Sequence, residues 1–578
     1  MKRGAGGLKL VLRGGSLVSL LLAGVCSVQA QGVRGVGETR QTGSAPVLPV
    51  DGSASAPGQA DGLSAPGAGS TVAPPGTGAP MLLPGAAGRP GAPAAPTVSR
   101  NTYVEGEINV RGTGTDRGRL DRESGKDIVL GVSPRLSFSS RGAQVRLNAT
   151  VGVDHVRYIK HTDDDYTQPR VNADVQAKVV DNLLFVDGSA SVDRRSVSPY
   201  SAQSADVPSD EQVRTGIYRV SPRIDHRRPS GWNTLVQSDN IWTRRSGQQV
   251  SSDSGNTYSQ NTQARFERVP ERVGAGIEGS HQTLRYEEGD EDVIRLDSAR
   301  ASVGWAVTPQ FTAWALGGAE RSRINKISET DGDYGARVRW APLERSVLTA
   351  EVRKRFFGTG FNAQWNHRHR NFGFALGGSR EPVTQPDAVQ LSGNVAQQFD
   401  AIYRSRGYSE AQREALVRAT LNTYGLPANL TDPVTLRVNA PQLSTTANGL
   451  LSIMGRRSVL VFSAYYRRLV QLRRNDDPVV ALAAGDIRQA GGLVSWSLQL
   501  TPLSGLEAAY RIDDSHGLGS ELGRNSRDQI VSLGTNHALS PKTRVNLSVQ
   551  HHRLKTDEAS RPSTASANSA TLGVNYRF

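Results

Sequence analysis

Apolar and polar residues alternate along most of the chain after Asn101. The clearest segment runs from Ala143 to Asp154, where apolar residues occupy the odd positions and polar residues or glycine the even ones. The same alternation occurs over residues 104–111 and 544–550. Because consecutive side chains of a strand point to opposite faces, each segment predicts a strand with one apolar and one polar face. Several segments reach about ten residues, the length that a tilted strand needs to cross a bilayer.

Two kinds of connection separate these segments. Long polar stretches cover residues 161–169, 196–212, 287–292 and 513–528. Short turns are predicted at proline or at a tight polar pair, namely at Ser133-Pro134, Asp181-Asn182, Thr308-Pro309, Ala341-Pro342, Thr501-Pro502 and Ser540-Pro541. Short turns at one end and long loops at the other are typical of bacterial outer-membrane barrels. The chain therefore predicts an all-β fold over residues 99–578, a transmembrane antiparallel outer-membrane β-barrel of about 22 strands.

The last residues of the chain form one more alternating segment. Leu572, Val574, Tyr576 and Phe578 share the apolar face of this segment, which ends in an aromatic carboxylate. It resembles the closing strand of outer-membrane barrels, in which a terminal Phe is part of the signal read by the barrel assembly machinery. We therefore expect Tyr576 and Phe578 to act as an assembly signal. An even number of strands would place both ends of the barrel in the periplasm.

The alternation stops at about residues 382–441. Ser409 followed by Gln412 forms a capping box, which predicts a helix ending near Tyr424. A further amphipathic helical turn or two is predicted around Val395 to Arg404. By strand parity this helical insertion leaves the external end of the barrel. From there it could cap the pore, fold into it or form an external domain.

The first 98 residues carry different signals. Basic residues before an apolar run, followed by Val28-Gln29-Ala30, predict a secretory signal peptide over residues 1–30. A lipoprotein anchored at Cys26 is the alternative, but the bulky Val25 does not suit a lipobox. Residues 31–98 are rich in Pro, Gly and Ala and contain no aromatic residue, which predicts a disordered linker.

Composition narrows the class of protein. A single Cys excludes an internal disulfide, and no internal run reaches the roughly 18 apolar residues of a membrane-spanning helix. The net charge of +14 falls to +10 once the four basic residues of the signal peptide are removed. A helical membrane protein and a disulfide scaffold are therefore excluded.

Motifs for catalysis or metal binding are absent from the sequence. The pairs His551-His552 and His367 with His369 have no third ligand at a useful spacing. Acidic runs at 163–165 and 287–288 could hold divalent cations, but solvated loop acid is the preferred interpretation. No nucleophile elbow, phosphate loop or paired-carboxylate motif occurs. We expect no enzymatic activity, no cofactor, no metal and no nucleic-acid partner.

Arginine is the most informative residue on the polar face. Six arginines fall on the polar side of their strands and are candidates for lining the lumen, namely Arg146, Arg337, Arg339, Arg353, Arg355 and Arg544. In a water-filled channel such donors would attract an anionic polymer. Alternatively, they pair with Glu351, Glu105 and similar residues to pack the interior. Residues 337, 339, 353 and 355 lie on two neighbouring strands, which predicts one positive patch on the inner wall.

Two regions resemble a known family. The stretch from Val179 to Ala190, followed by Val197-Ser198-Pro199-Tyr200 and Tyr218-Arg219-Val220-Ser221-Pro222, is similar to the outer-membrane proteins associated with the PEP-CTERM and exosortase system. Phe399-Asp400 and the segment from Arg413 to Pro427 resemble the central segment of that family. The resemblance implies an outer-membrane barrel from bacteria that make exopolysaccharide, and it brings no catalytic residues.

Together these signals predict a bacterial outer-membrane protein in contact with lipid and lipopolysaccharide. The first functional expectation is a passive channel or export component for an anionic exopolysaccharide. The alternative is a structural or scaffold barrel that anchors surface polymer machinery without conducting. An outer-membrane enzyme ranks third.

Overall fold

A computed structural model gives the structure of the chain. It describes residues 102–578 except 121–124, 197, 203–211, 229–230, 247–255, 287–291, 325–326, 385–390, 425, 427–428, 432–440, 473–485 and 559–560. The predicted signal peptide (1–30) and linker (31–98) lie outside the described residues. None of the described helices is both long and apolar enough to span a membrane.

Strands account for most of the described chain. They are, in chain order, β1 (Thr102–Thr115), β2 (Asp127–Arg141), β3 (Val145–Tyr158), β4 (Tyr166–Val180), β5 (Leu184–Ser196), β6 (Gln212–Arg227), β7 (Trp232–Ser246), β8 (Thr257–Arg268), β9 (Val273–Tyr286), β10 (Asp292–Thr308), β11 (Phe311–Ile324), β12 (Ile327–Leu343), β13 (Ser346–Arg355), β14 (Gly358–Arg368), β15 (Phe372–Pro382), β16 (Leu391–Asn394), β17 (Asn429–Thr431), β18 (Gln442–Met454), β19 (Ser458–Gln471), β20 (Asp486–Thr501), β21 (Ser504–Leu518), β22 (Asn525–Ala538), β23 (Thr543–Glu558) and β24 (Arg561–Arg577).

Twenty-two of these strands form one closed antiparallel barrel. Each strand pairs with its neighbour in the chain, except that β15 pairs directly with β18. The ring closes where β1 pairs with β24 as well as with β2, for example at Val110 opposite Val574. The prediction of an outer-membrane barrel of about 22 strands with a small helical insertion is confirmed.

The two faces of the barrel follow the sequence alternation. The outward positions carry exposed apolar side chains such as Val104, Val132 and Leu547. Exposed tryptophans mark the outward face near one end, namely Trp305, Trp340, Trp365 and Trp496. A closed barrel with an apolar outer surface and an aromatic girdle satisfies its backbone internally and presents lipid-compatible side chains outside. The protein is therefore a bacterial outer-membrane β-barrel.

The strand connections set the orientation of the barrel. All ten connections at the end that holds Thr102 and Phe578 are two to four residues long. Longer connections occur only at the opposite end, the longest of them between Pro382 and Gln442. Because periplasmic turns are short and external loops long, the first end is periplasmic and the second external.

Some predicted connections were wrong. Ser133-Pro134 lies inside β2, where Pro134 pairs with Ile108 of β1 and the pairing with β3 is interrupted between Val132 and Arg135. Proline lacks the N–H of that ladder position, so it interrupts a hydrogen bond without ending the strand. The turn instead follows Arg141, and β3 begins at Val145 rather than Ala143.

Two further boundaries differ in the same way. Ala341-Pro342 belongs to the end of β12, where the register shifts between Trp340 and Leu343. Much of the stretch 513–528 is strand rather than loop, because β21 continues to Leu518 and β22 begins at Asn525. Proline in the first case and charged residues in the second suggested a turn or loop, but the strand pairing continues through both segments.

The insertion contains the predicted helix after Ser409, and the amphipathic turns predicted before it form a full helix. Helix α1 covers Val395–Ser405 and helix α2 covers Glu410–Thr423. Ser409 caps α2, and the Gln412 side chain accepts the Ser409 backbone N–H at 3.0 Å. The short strands β16 and β17 pair with each other and form a two-stranded sheet that is not part of the barrel sheet.

Candidate functional site: the barrel lumen

All six predicted arginines lie on the inward positions of their strands. The parity follows from exposed apolar neighbours, for example Trp340 beside Arg339 and Val352 beside Arg353. Their partners differ, however. Arg337, Arg353 and Arg355 make close ion pairs with carboxylates.

One region of the inner wall is a dense network of charges, which we call the charged wall. Arg337 bridges Glu351 at 2.7 Å and Glu278 at 3.1 Å, while Arg353 contacts Glu351 at 2.7 Å and Asp333 at 2.9 Å. The full set on β8 to β13 comprises Arg265, Glu278, Arg300, Glu320, Asp333, Arg337, Glu351, Arg353 and Arg355. Five guanidinium groups face four carboxylates, so the wall is nearly neutral.

The charged wall is also poorly accessible to water. Glu320 and Asp333 are fully buried, and Glu351 is 3% exposed. Arg355 holds Glu320 in a two-pronged contact, with Nε to Oε2 at 2.9 Å and Nη2 on the other oxygen. The prediction of one positive patch from Arg337, Arg339, Arg353 and Arg355 is therefore wrong, because acidic residues of the same and neighbouring strands pair with Arg337, Arg353 and Arg355.

The remaining three arginines are not part of the charged wall. Arg544 interacts electrostatically with Glu507 and Glu107 on the same inner face. Arg146 and Arg339 make no ion pair within the residues that the structure describes. The Nε of Arg339 is buried and has no hydrogen-bond partner. Arg146 and Arg339 therefore carry whatever net positive charge the predicted set contributes to the lumen.

The insertion packs inside the barrel against its inner wall. Val395, Phe399 and Ile402 of α1 are fully buried in one apolar cluster with Leu450 of β18 and Val459 of β19. Leu450 and Val459 occupy inward positions, since Ile453 and Phe462 on the same strands are exposed outward. Of the three arrangements left open by the sequence, the structure shows the one in which the insertion folds into the pore. We call the described residues between Val383 and Pro441 the plug.

Polar contacts place the plug along the height of the lumen. It starts at the external end of β15, yet the end of α1 reaches the periplasmic turn between β14 and β15. There Ser405 Oγ donates to the His369 carbonyl at 3.1 Å, and Arg406 Nε donates to the Arg370 carbonyl at 2.8 Å. Past α2, the Tyr424 carbonyl accepts from Ser497 Oγ of β20 at 2.9 Å.

The two plug helices hold each other by a small polar core. Arg413 Nε of α2 donates to Asp400 of α1 at 2.9 Å, and the Tyr403 and Thr420 hydroxyls lie 2.6 Å apart. Both Tyr403 and Thr420 are buried. The two helices thus hold each other through polar contacts, while the same helices share one apolar cluster with the wall.

A loop residue from the opposite wall closes over the external side of the lumen. Tyr200, in the connection between β5 and β6, packs with Leu469 of β19, Ile487 of β20 and Val383 at the start of the plug. Arg524 stacks over the Tyr200 ring at 4.6 Å. Burial raises the pKa of Tyr200 to about 12, so its phenol stays neutral.

Because β5 and β19 lie on opposite sides of the ring, this connection crosses the lumen. Its described part, residues 198–202, also places Ala202 against Leu554, Ala565 and Ala567 of β23 and β24. We call residues 198–202 the lid. Lid and plug meet at Val383, so the external side of the lumen is covered from both walls.

Sequence reasoning missed the lid and most of the acidic half of the charged wall. Glu278, Glu320 and Asp333 sit on strands whose polar faces could be identified, but which carboxylate meets which arginine depends on register between strands. The lid had only a weak signal, an aromatic residue in a polar loop. A large apolar side chain such as Tyr200 in an external loop could have indicated a buried contact.

The histidine and aspartate candidates have other roles. His551 faces outward beside Asn568, whereas His552 faces inward and lies 2.5 Å from Asp528. In the acidic run 163–165, Asp164 is buried in an ion pair with Arg119 at 2.8 Å. The described residues contain no group of three His, Cys, Asp or Glu able to hold a metal. The run at 287–288 lies outside the described residues.

The predicted assembly residues lie at the seam of the barrel. Phe578 exchanges two backbone hydrogen bonds with Gly106 of β1, at 2.9 and 3.3 Å. Its ring covers Gly106 so closely that a Cβ there would come 2.3 Å from it. Tyr576 stacks on Phe578 with ring centroids 6.4 Å apart, and both are exposed on the outward face. The two residues thus join the last strand to the first.

Comparison with known proteins gives structural matches only. No family model and no curated protein matches the chain. The siderophore receptor PirA of Pseudomonas aeruginosa matches at 10% identity and a TM-score of 0.37, covering 82% of this chain and 80% of that chain. The FrpB iron transporter of Neisseria meningitidis matches at 11% and 0.41, covering 82% and 81%. OmpT, an outer-membrane protein of Vibrio cholerae, matches at 11% and 0.27, covering 83% and 98%.

Proposed function

We propose that the protein is a gated outer-membrane channel whose plug and lid keep the lumen closed at rest. The observation that carries this proposal is the position of the plug inside a 22-strand barrel. A barrel of this size encloses a lumen that is open to water unless something fills it. Here the filling is a separate segment that the wall does not need for its strand pairing, since β15 pairs directly with β18.

The inner surface supports transport of a polar solute. Outside the apolar contacts of plug and lid, the wall consists largely of paired charges and hydroxyl or amide side chains, such as Arg219 with Asp239 at 2.5 Å. Paired charges interact with a hydrated polymer through hydrogen bonds without trapping it by net charge. Arg146 and Arg339 add a modest preference for anions.

We further propose that the transported solute is an exopolysaccharide. The support is the resemblance to outer-membrane proteins of the PEP-CTERM and exosortase system, carried by residues 179–190 and by the plug segment from Phe399. We place the protein among export components rather than enzymes. A deletion strain assayed for surface polysaccharide tests this link: the polymer should be lost or retained in the periplasm, and normal surface polymer would contradict it.

The structure also favours a second candidate, a non-conducting scaffold barrel. Apolar clusters seal the plug to the wall at Val459 and seal the lid at Ile487, each buried below 5% exposure. A permanently closed barrel would serve as a platform for partner proteins.

Permeability of living cells separates these two candidates. Val383 N donates to the Gln442 carbonyl at 2.8 Å, so the ends of the plug are adjacent and residues 384–441 can be replaced by a short Gly-Ser turn. Cells producing this plug-excised barrel should become sensitive to vancomycin, whereas cells producing the intact protein should not. Equal resistance in both, with equal amounts of folded barrel in the membrane, would favour the scaffold.

A further inference from the structure

The outward face of β8 to β12 changes character near the external end. Two successive cross-strand rows there are polar. The upper row comprises Gln260, Thr283, Arg295, Arg323 and Ser328, and the row below it Thr262, His281, Asp297, Arg321 and Thr330. These positions face outward, because they share the parity of the exposed Ile277, Val303 and Trp305.

The height of these rows matches the outer headgroup region. Arg295 lies ten residues before Trp305 on β10, and Trp305 belongs to the periplasmic girdle. Ten residues extend about 33 Å along a strand, which at a tilt of 35–45° rises about 25 Å. That rise equals the height of the apolar belt of such barrels, about 25 Å. Arg295 and Arg323 therefore lie where the phosphates of outer-leaflet lipid begin.

The charges in these rows are unbalanced. Arg295 and Arg323 stand directly opposite each other on neighbouring strands, an arrangement that repels. Asp297 is the single acid of the two rows; it contacts His281 at 2.5 Å and Arg295 at 3.0 Å. Arg323 makes no ion pair within the described chain, and Arg321 contacts only the Ser328 hydroxyl at 3.0 Å. A bound anion would relieve the repulsion.

A buried hydroxyl in the same row also lacks a partner. Thr283 is 6% exposed, and its Oγ1 makes no hydrogen bond. It lies between Gln260 and Arg295 in the upper row. Such a donor beside Arg295 suits a phosphate oxygen, which guanidinium groups bind in a two-pronged manner.

Below the polar rows the surface is recessed. The next cross-strand row consists of five small residues, Ala264, Gly279, Ala299, Ala319 and Gly332. Larger side chains, Phe266, Ile277 and Tyr334, follow below them. The groove that results is lined by Gly279, Ala299 and Ala319 together with His281 and Arg321. Its apolar floor adjoins the arginines directly.

We propose that this face binds a phosphorylated, acylated glycolipid of the outer leaflet. One phosphate lies between Arg295, Arg321 and Arg323, and an acyl chain lies in the groove over Ala299 and Ala319. The site is on the outside of the barrel, so it is independent of whether the lumen conducts.

Native mass spectrometry of the purified full-length barrel with added bisphosphorylated lipid A tests this site. Replacing Arg295, Arg321 and Arg323 by Gln should weaken lipid A binding at least about tenfold, since the charge-assisted hydrogen bonds to the phosphate are lost. The matched control replaces three other outward cations of the external end, Arg157, Arg553 and Lys555, and should change binding less than about twofold. Lipid A without phosphates should bind the wild type as weakly as the phosphorylated form binds the triple variant.

A second variant keeps every charge. Ala299→Leu with Ala319→Leu fills the groove at two exposed outward positions, so folding should be unaffected and lipid A binding should still fall. Wild-type binding by the triple Gln variant, or by the leucine variant, would overturn the proposal. Equal loss in the control variant would also overturn it, because the cations would then act as a general collar rather than as a site.

Discussion

Single residues determine how the seam of the barrel closes. Gly106 has no side chain, and this absence lets the Phe578 ring lie flat over the backbone of β1. Aromatic cover of a strand glycine compensates for the packing that glycine lacks. The terminal residue therefore contributes both two hydrogen bonds and a ring contact to the first strand.

Deleting Phe578 should lower the amount of heat-modifiable barrel in the outer-membrane fraction, because the seam loses both contributions. Gly106→Ala keeps Phe578 but displaces its ring, so it should lower the yield partially. Gly114→Ala is the matched control, since nothing lies within 4 Å of a Cβ at that position of the same strand. Wild-type yield after deletion of Phe578 would contradict its role as an assembly signal.

Buried ion pairs act at the same scale. Removing one partner of such a pair leaves an uncompensated charge and costs about 3–5 kcal/mol, whereas replacing both partners by apolar residues is often neutral. We therefore expect Arg355→Leu alone to lower the free energy of unfolding in a urea titration by several kcal/mol. Adding Glu320→Leu should restore much of it.

Lys354→Leu provides the control for this pair, because the Lys354 side chain, next to Arg355 in the chain, faces outward and is exposed. This substitution should change the free energy of unfolding by no more than about 0.5 kcal/mol. A loss below about 1 kcal/mol in Arg355→Leu would mean that lumen water reaches the charged wall. In that case the arginines would be available to a solute.

At the scale of elements, the plug is held by a small number of contacts. Phe399 and Ile402 of α1 supply its largest fully buried side chains. Truncating a buried Phe costs about 3–5 kcal/mol and a buried Ile about 2–5 kcal/mol. The plug is therefore the element whose attachment is simplest to weaken without touching a barrel strand.

Phe399→Ala with Ile402→Ala should loosen the plug and raise the ionic current through single barrels in a planar bilayer. Arg418→Ala, on the exposed face of α2, is the control and should leave the current unchanged. If the double variant stays closed although its α-helical signal shows a detached plug, the lid alone must seal the lumen.

Sequence patterning predicted the strands and helices better than the side-chain contacts between them. Alternation and the terminal Phe sufficed for the barrel, and the Ser409–Gln412 capping box located α2, because these signals are local. The inward parity of Arg337 and Arg353 was equally local. The pairing of these arginines with Glu278 and Asp333 depends on the register between strands. The contact of Tyr200 with Ile487 depends on a loop that crosses the lumen. Neither can be read from a local sequence pattern.

At the scale of the whole molecule, the segments that form the barrel wall are distinct from the plug and lid that close its lumen. The wall is complete through the pairings of β15 with β18 and of β1 with β24. The closure consists of the plug from one side and the lid from the other. This division is what a channel that opens would require, and it makes the opening testable by removing the closing segments alone.

The most direct measurement is single-channel conductance of three purified proteins: the wild type, the plug-excised barrel, and the plug-excised barrel whose lid residues 198–202 are replaced by Gly and Ser. The account predicts little current for the wild type, more for the second protein, and a large stable current for the third. If the third protein inserts as a folded, heat-modifiable barrel and still passes no current, the channel is contradicted and the barrel is a scaffold.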